Sequence, residues 1–172
     1  MRAYINKLRD KGYSRRKRGA FSRVLFKPNG RYVIKVARDP AFLLFAKMAI
    51  KSNNPHFPKF YDIQNRVYCN KKLILVYQVY KMERLQEFPR KYDGSPGYDE
   101  ADSADSVVVS AAWKDPMRPT VQEWYERQTR NMQKALYKLS ELARDHEYLC
   151  VDMHGYNFMR RGECIVITDP FS

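Results

Sequence analysis

Cysteine is scarce in this chain. There are three, Cys69, Cys150 and Cys164, far apart and in no paired spacing. That pattern excludes a disulfide framework and a zinc ribbon, and the expectation is a reducing cytoplasm. Long apolar runs are missing as well. None approaches the length needed to cross a bilayer, so no membrane is expected among the partners. Met1-Arg2-Ala3-Tyr4 does not open an apolar signal segment. There is no internal repeat and no low-complexity tract. Acidic residues are in deficit: 19 Asp and Glu stand against 32 Lys and Arg, for a net charge of +13. What remains is ordinary. With 172 residues and 44% hydrophobic content, the chain is long enough for one folded domain with a real core.

The positive charge is uneven. Residues 1–38 hold thirteen Lys and Arg against one Asp, a net +12. Residues 1–18 read as a basic N-terminal arm, able to meet an acidic protein partner or nucleic acid. Within it, residues 1–11 suit a short helix with Tyr4, Ile5 and Leu8 on one side. Arg23 to Phe26 and Tyr32 to Ala37 read as strands joined at Pro28-Asn29-Gly30, a strong hairpin turn. Lys35 stands among Val and Ile in the second strand. It either faces water or is buried against an anion, since an unmatched buried cation is costly.

Asp39-Pro40 starts a helix, with Asp39 as cap and Pro40 in the first turn. Residues 57–63 and 73–79 read as further strands, and 80–84 as a connector between two lobes. The composition changes over residues 88–118, and the stretch from Tyr92 to Ser106 is acidic, small and turn-forming, which predicts a mobile loop. Thr120 with Glu123 forms a capping box that opens one long helix reaching about Arg144.

The polar residues with most chemical content come last. Asp152 and Asn157 are five apart, the Asp-x-x-x-x-Asn spacing of a phosphotransferase catalytic loop. A polar turn, Arg160 to Glu163, follows. Cys164 to Ile167 reads as a short strand buried on both faces, and Asp169 comes just after it. Alone, each of the three is an ordinary turn or cap residue. Together they supply one carboxylate to orient a hydroxyl and take its proton, and an amide–carboxylate oxygen pair for Mg²⁺.

Gly19-Ala-Phe-Ser22, Val33-Ile-Lys35, Phe57-Pro-Lys-Phe-Tyr-Asp-Ile63, Asp152-Met-His-Gly-Tyr-Asn157 and Ile167-Thr-Asp-Pro-Phe-Ser172 stand in kinase order. In this the chain resembles the phage-encoded protein serine/threonine kinases of short-tailed bacteriophages, over roughly residues 15–86 and 119–172. The resemblance implies an α+β, protein-kinase-like fold. Its N-lobe (19–80) would be a small antiparallel sheet with one helix. A hinge and the acidic loop would take 81–118, and a reduced, mainly helical C-lobe 119–172. It implies ATP and Mg²⁺ as cofactors and host proteins as substrates, in the cytoplasm of an infected bacterium. Asp152 would be the catalytic base, and Asn157 and Asp169 the metal ligands. Gly19, Phe21 and Ser22 would cover the phosphates, Lys35 would grip them, and Lys81, Met82 and Glu83 would meet the adenine.

The chain also departs from the kinase pattern. The helix from Asp39 to Lys51 has no Glu to pair with Lys35. Cys150-Val151 replaces the usual His-Arg before the catalytic Asp, so control by a phosphorylated loop is not expected. Only three residues follow Asp169. These features favour an alternative, a catalytically inactive kinase-like protein that binds and inhibits a host protein or nucleic-acid complex. His154, two after Asp152, is similar to the aminoglycoside-phosphotransferase branch, which makes a small-molecule kinase the third reading.

Overall fold

Pro28-Asn29-Gly30 makes the turn its sequence calls for. β2 (Ser22–Phe26) and β3 (Tyr32–Ala37) pair antiparallel across it, with Phe26 opposite Val33. The computed structural model describes residues 1–18, 22–70, 73–87 and 96–172. They form two units, Met1–Leu43 with Lys59–Arg84, and Leu44–Pro58 with Leu85–Ser172. The architecture is mixed α+β, with antiparallel sheets and five helices.

In the first unit, β1 (Ser14–Arg18), β4 (Phe60–Asn70) and β5 (Leu73–Glu83) complete a five-stranded sheet in the order β1-β2-β3-β5-β4. α1 (Arg2–Asp10) lays Leu8 onto one face of it, in a cluster with Leu25, Ile34, Val36, Tyr77 and Val79. Burying such side chains stabilises by about 1.5–3 kcal/mol each. Residues 1–18 are thus built into the first unit through α1 and β1. The expected helix forms, and the basic run behind it is a strand, with Ser14 opposite Phe26. A ladder of backbone bonds needs no apolar alternation, which is why the sequence hid this strand.

α2 (Pro40–Ser52) starts as expected: Asp39 Oδ1 accepts the Phe42 N–H at 3.2 Å. Phe42 then meets Tyr80 edge-on at 4.8 Å. The expected connector at 80–84 is mostly strand, because β5 runs on through Glu83. Lys81 is in register with both Ile34 and Asp62, and Met82 with both Val33 and Phe60. Their backbone thus lies in a ladder with neighbours on both sides. Glu83 Oε1 accepts the Lys59 N–H at 2.8 Å. Only Arg84 leaves the strand, and its guanidinium donates to the carbonyls of Lys27, Pro28 and Gly30 in the hairpin turn.

The second unit holds α3 (Pro96–Trp113), α4 (Pro119–Glu126), α5 (Arg130–Asp145) and a small sheet. The sheet is β6 (Gln86–Glu87), β7 (Phe158–Arg161) and β8 (Cys164–Ile167), in that order. α3 corrects the expectation of a mobile acidic loop. From Pro96 onward the stretch is helical, and Ala104, Val107, Val108 and Ala112 are buried at helical spacing. Residues 92–95 of that expected loop lie outside the described residues.

The single long helix expected from Thr120 is two helices. Arg118, not Thr120, occupies the N-cap of α4 and makes no side-chain cap bond, so the capping box does not form. The chain breaks after Glu126 and restarts at Thr129, whose hydroxyl accepts the Met132 N–H at 3.2 Å. α5 then buries Met132, Ala135, Leu136, Leu139 and Ala143. Thr129→Ala should lower stability in urea unfolding by about 1 kcal/mol, the usual worth of a side-chain cap, and Thr129→Ser should retain most of it. Equal unfolding midpoints for all three proteins would show that the cap contributes nothing.

Candidate functional site

β7 and β8 form a hairpin around Gly162, whose φ of 59° suits a residue without Cβ. Arg160 and Arg161 belong to β7, so the polar turn is shorter than the sequence suggested. Of β8, Val166 and Ile167 are buried, while Cys164 and Ile165 remain partly exposed. The ladder continues one step past Ile167. The Thr168 N–H and Oγ1–H both donate to Asn157 O, at 2.7 and 2.8 Å.

The segment before the loop pairs with the segment after Asp169. Cys150 and Ser172 exchange backbone bonds at 3.2 and 3.0 Å, and Val151 bridges Phe171. The Asp152 N–H then donates to Pro170 O at 2.9 Å. Asp169 is thus fixed between Thr168, bonded to Asn157, and Pro170, bonded to Asp152. Asp152, Asn157 and Asp169, picked from sequence spacing, are brought together by this pairing.

Asn157 is 9% exposed and holds the loop from inside. It ends a single 3-10 turn, Gly155–Asn157, and its N–H donates to His154 O at 2.8 Å. Its amide lies 2.7 Å from Asp152 O. A carbonyl only accepts, so the near atom is the donor Nδ2, and Oδ1 takes no part in this bond. Asp169 offers a carboxylate whose Oδ1 is buried. An amide oxygen and a carboxylate are hard donors of the kind Mg²⁺ takes. Among the described residues no group of three His, Cys, Asp or Glu could enclose a metal. An ion here would therefore draw the rest of its shell from water and phosphate oxygens, as Mg²⁺ commonly does.

Two supporting residues were not legible in the sequence. His56 clamps β8: its Nδ1 is 2.8 Å from Ile165 O, and its own carbonyl accepts the Ile167 N–H at 2.9 Å. Because Ile165 O only accepts, Nδ1 carries the proton, and Nε2, 3.3 Å away, faces the Thr129 hydroxyl. Burial pushes the His56 pKa down, the Ile165 bond opposes that, and Arg161 adds to it. The only signal for His56 was a polar ring among apolar neighbours in Asn54-Pro-His-Phe-Pro58.

The second is Asp105, on α3, which accepts the Met153 N–H at 3.1 Å beside Asp152. Asp102, Ser103, Asp105, Ser106, Arg118 and His154 share with Asp152 the walls of an open polar cleft of about 580 Å³. Asp152 itself is half-exposed, with His154 Nε2 3.9 Å from its carboxylate. Burial raises the Asp105 pKa. The Met153 N–H opposes this, and the charges of Asp152 and Asp102 add to it.

Of the other expected site residues, Gly19 and Phe21 lie outside the described residues, and Ser22 opens β2 opposite Ala37. Lys35, in the first unit, does not face water. It is 6% exposed, with Nζ 3.3 Å from the centre of the Phe42 ring. No family model matches the chain, and no curated protein matches its sequence.

The raised Asp105 pKa has a stability consequence. The folded state favours the protonated carboxyl, so stability is fully present below the ordinary Asp value and falls as pH rises through the folded one. Asp105→Asn keeps an oxygen for the Met153 N–H but cannot ionise. Its melting temperature should exceed that of the natural chain at neutral pH, with the gap closing by about pH 3.5, below the ordinary Asp pKa. No gap at neutral pH would show that the buried charge carries no penalty.

Proposed function

We propose that this chain is a kinase-like domain that transfers the γ-phosphoryl group of ATP to serine or threonine hydroxyls of host proteins in a phage-infected bacterium. The observation that carries this reading is the pairing of residues 150–152 with 170–172. It gathers two carboxylates and an amide in the order a phosphotransferase loop requires. The antiparallel sheet of the first unit and the strand–loop–hairpin of the second agree with a kinase-like fold, with β5 as the strand leading to the hinge.

Asp152, half-exposed on the cleft, orients the acceptor hydroxyl and takes its proton. Asn157 Oδ1 and the Asp169 carboxylate hold Mg²⁺. ATP with Mg²⁺ supplies the activated phosphoryl group and the charge neutralisation that its transfer needs. Lys35, a buried cation on a central strand, is assigned to the nucleotide phosphates. The open cleft with Asp102, Asp105 and Asp152 also favours a second reading, a small cationic alcohol as acceptor in place of a protein.

Incubation of the chain with γ-labelled ATP, Mg²⁺ and bacterial lysate should place label in protein; label confined to small molecules would select the second reading. Asp152→Asn should lower transfer by roughly 10²–10⁴-fold, the usual worth of a general base, while ATP affinity holds. Undiminished transfer would remove Asp152 from the mechanism. In calorimetry, Asp169→Ala should weaken ATP binding only when Mg²⁺ is present, whereas Lys35→Met should weaken it with or without the metal. Unchanged Mg²⁺-dependent affinity in Asp169→Ala would overturn the metal assignment.

A further inference from the structure

The positive charge of this chain sits almost wholly in one unit. Met1–Leu43 with Lys59–Arg84 holds nineteen Lys and Arg against four Asp and Glu, a net +15. The other unit holds thirteen against fifteen, a net −2. A sheet edge in the basic unit is also unusual. β4 runs for 11 residues and, among the described residues, pairs on one side only, with β5, so it is the outer strand of its sheet. Such an edge is a template for a further strand.

One end of the β4–β5 pair is apolar and exposed. Val67 lies opposite Val76, and Cys69 opposite Ile74, so alternation puts all four on one face. Val67 is 66% exposed, Ile74 69% and Val76 51%. An aliphatic face on a long open edge, within a strongly basic unit, is a poor surface to leave in water.

The geometry points to β4 as a docking edge for an extended, acidic segment of a partner protein. The segment would add as a further strand, with its backbone bonded to β4, its apolar residues beside Val67 on the face that Val67 shares with Val76 and Ile74 of β5, and its carboxylates toward the basic unit. The charge argues against a second copy of this chain, because two surfaces of +15 repel. The aliphatic side chains argue against single-stranded nucleic acid, which stacks its bases on aromatic rings. This inference does not depend on phosphoryl transfer and is tested without ATP.

The test uses the full chain and a fluorescent peptide of alternating Glu and Val, equal in length to β4. Anisotropy should show binding that weakens with salt, and hydrogen exchange should show new protection of β4 amides when the peptide is present. The variant Val67→Asp, on β4 itself, changes an exposed side chain only. It should keep the circular dichroism spectrum and weaken peptide binding by roughly tenfold or more, from like-charge repulsion on the docking face. Val67→Lys should lose less. Any of four results would overturn the inference: no binding of the acidic peptide; equal binding of a Lys-Val peptide; undiminished binding by the Asp variant; or a single-stranded oligonucleotide that displaces the peptide. Sedimentation as a dimer, with β4 protected before any peptide is added, would assign the edge to self-association instead.

Discussion

The candidate site depends on one short antiparallel contact, residues 150–152 against 170–172. Each backbone hydrogen bond contributes only about 0.5–1.5 kcal/mol net. Their position matters more than their number. Asp152 sits at one end of this contact and Asn157 at the end of the β7–β8 ladder, so Asp169 can only lie between them. The neighbours that exclude water are Leu149, Met153, Phe158, Val166, Ile167 and Phe171, all buried. They keep the exchange with solvent from competing for the same backbone groups. His56 adds a clamp on β8 and a link to Thr129, tying the hairpin to the start of α5. Asp105 adds a bond from α3 to the loop itself. The site residues are thus set by long-range backbone pairing.

A different constraint shapes the first unit, which must fold despite its charge. Several of its cations lie over aromatic rings: Lys35 over Phe42, Lys81 over Tyr32, Arg84 over Phe26, Arg66 over Tyr4 and Lys27 over Tyr13. Each such contact is worth about 0.5–1 kcal/mol where exposed and more where desolvated. These rings let the stems pack while the charges meet an attractive face. The large aromatic share of the sequence, 14%, is in part explained by this use.

How much was legible depended on how local the signal was. The β2–β3 hairpin was readable because Pro28-Asn29-Gly30 dictates its turn, and α2 because Asp39-Pro40 dictates its start. The Asp152–Asn157 spacing was readable because the loop that needs it is local. β1 was not, since five residues from Ser14 to Arg18 show no apolar alternation and pair through backbone alone. α3 was misread because its acidic composition outweighed the helical spacing of Ala104, Val107, Val108 and Ala112. The α4–α5 break was hidden in a polar run, where Thr129 caps but does not stand out. His56 and Asp105 act on residues far away in the chain, a relation that no short window contains.

The central claim is that Asp152, Asn157 and Asp169 form one metal–nucleotide site. Its most direct test is an NMR titration of the isotope-labelled chain with ATP and paramagnetic Mn²⁺ in place of Mg²⁺. The account predicts that the Asn157 side-chain amide and the backbone amides of 152–157, Thr168 and Asp169 broaden first, and that ATP without metal leaves them sharp. Broadening centred elsewhere, with these signals unchanged, would contradict it.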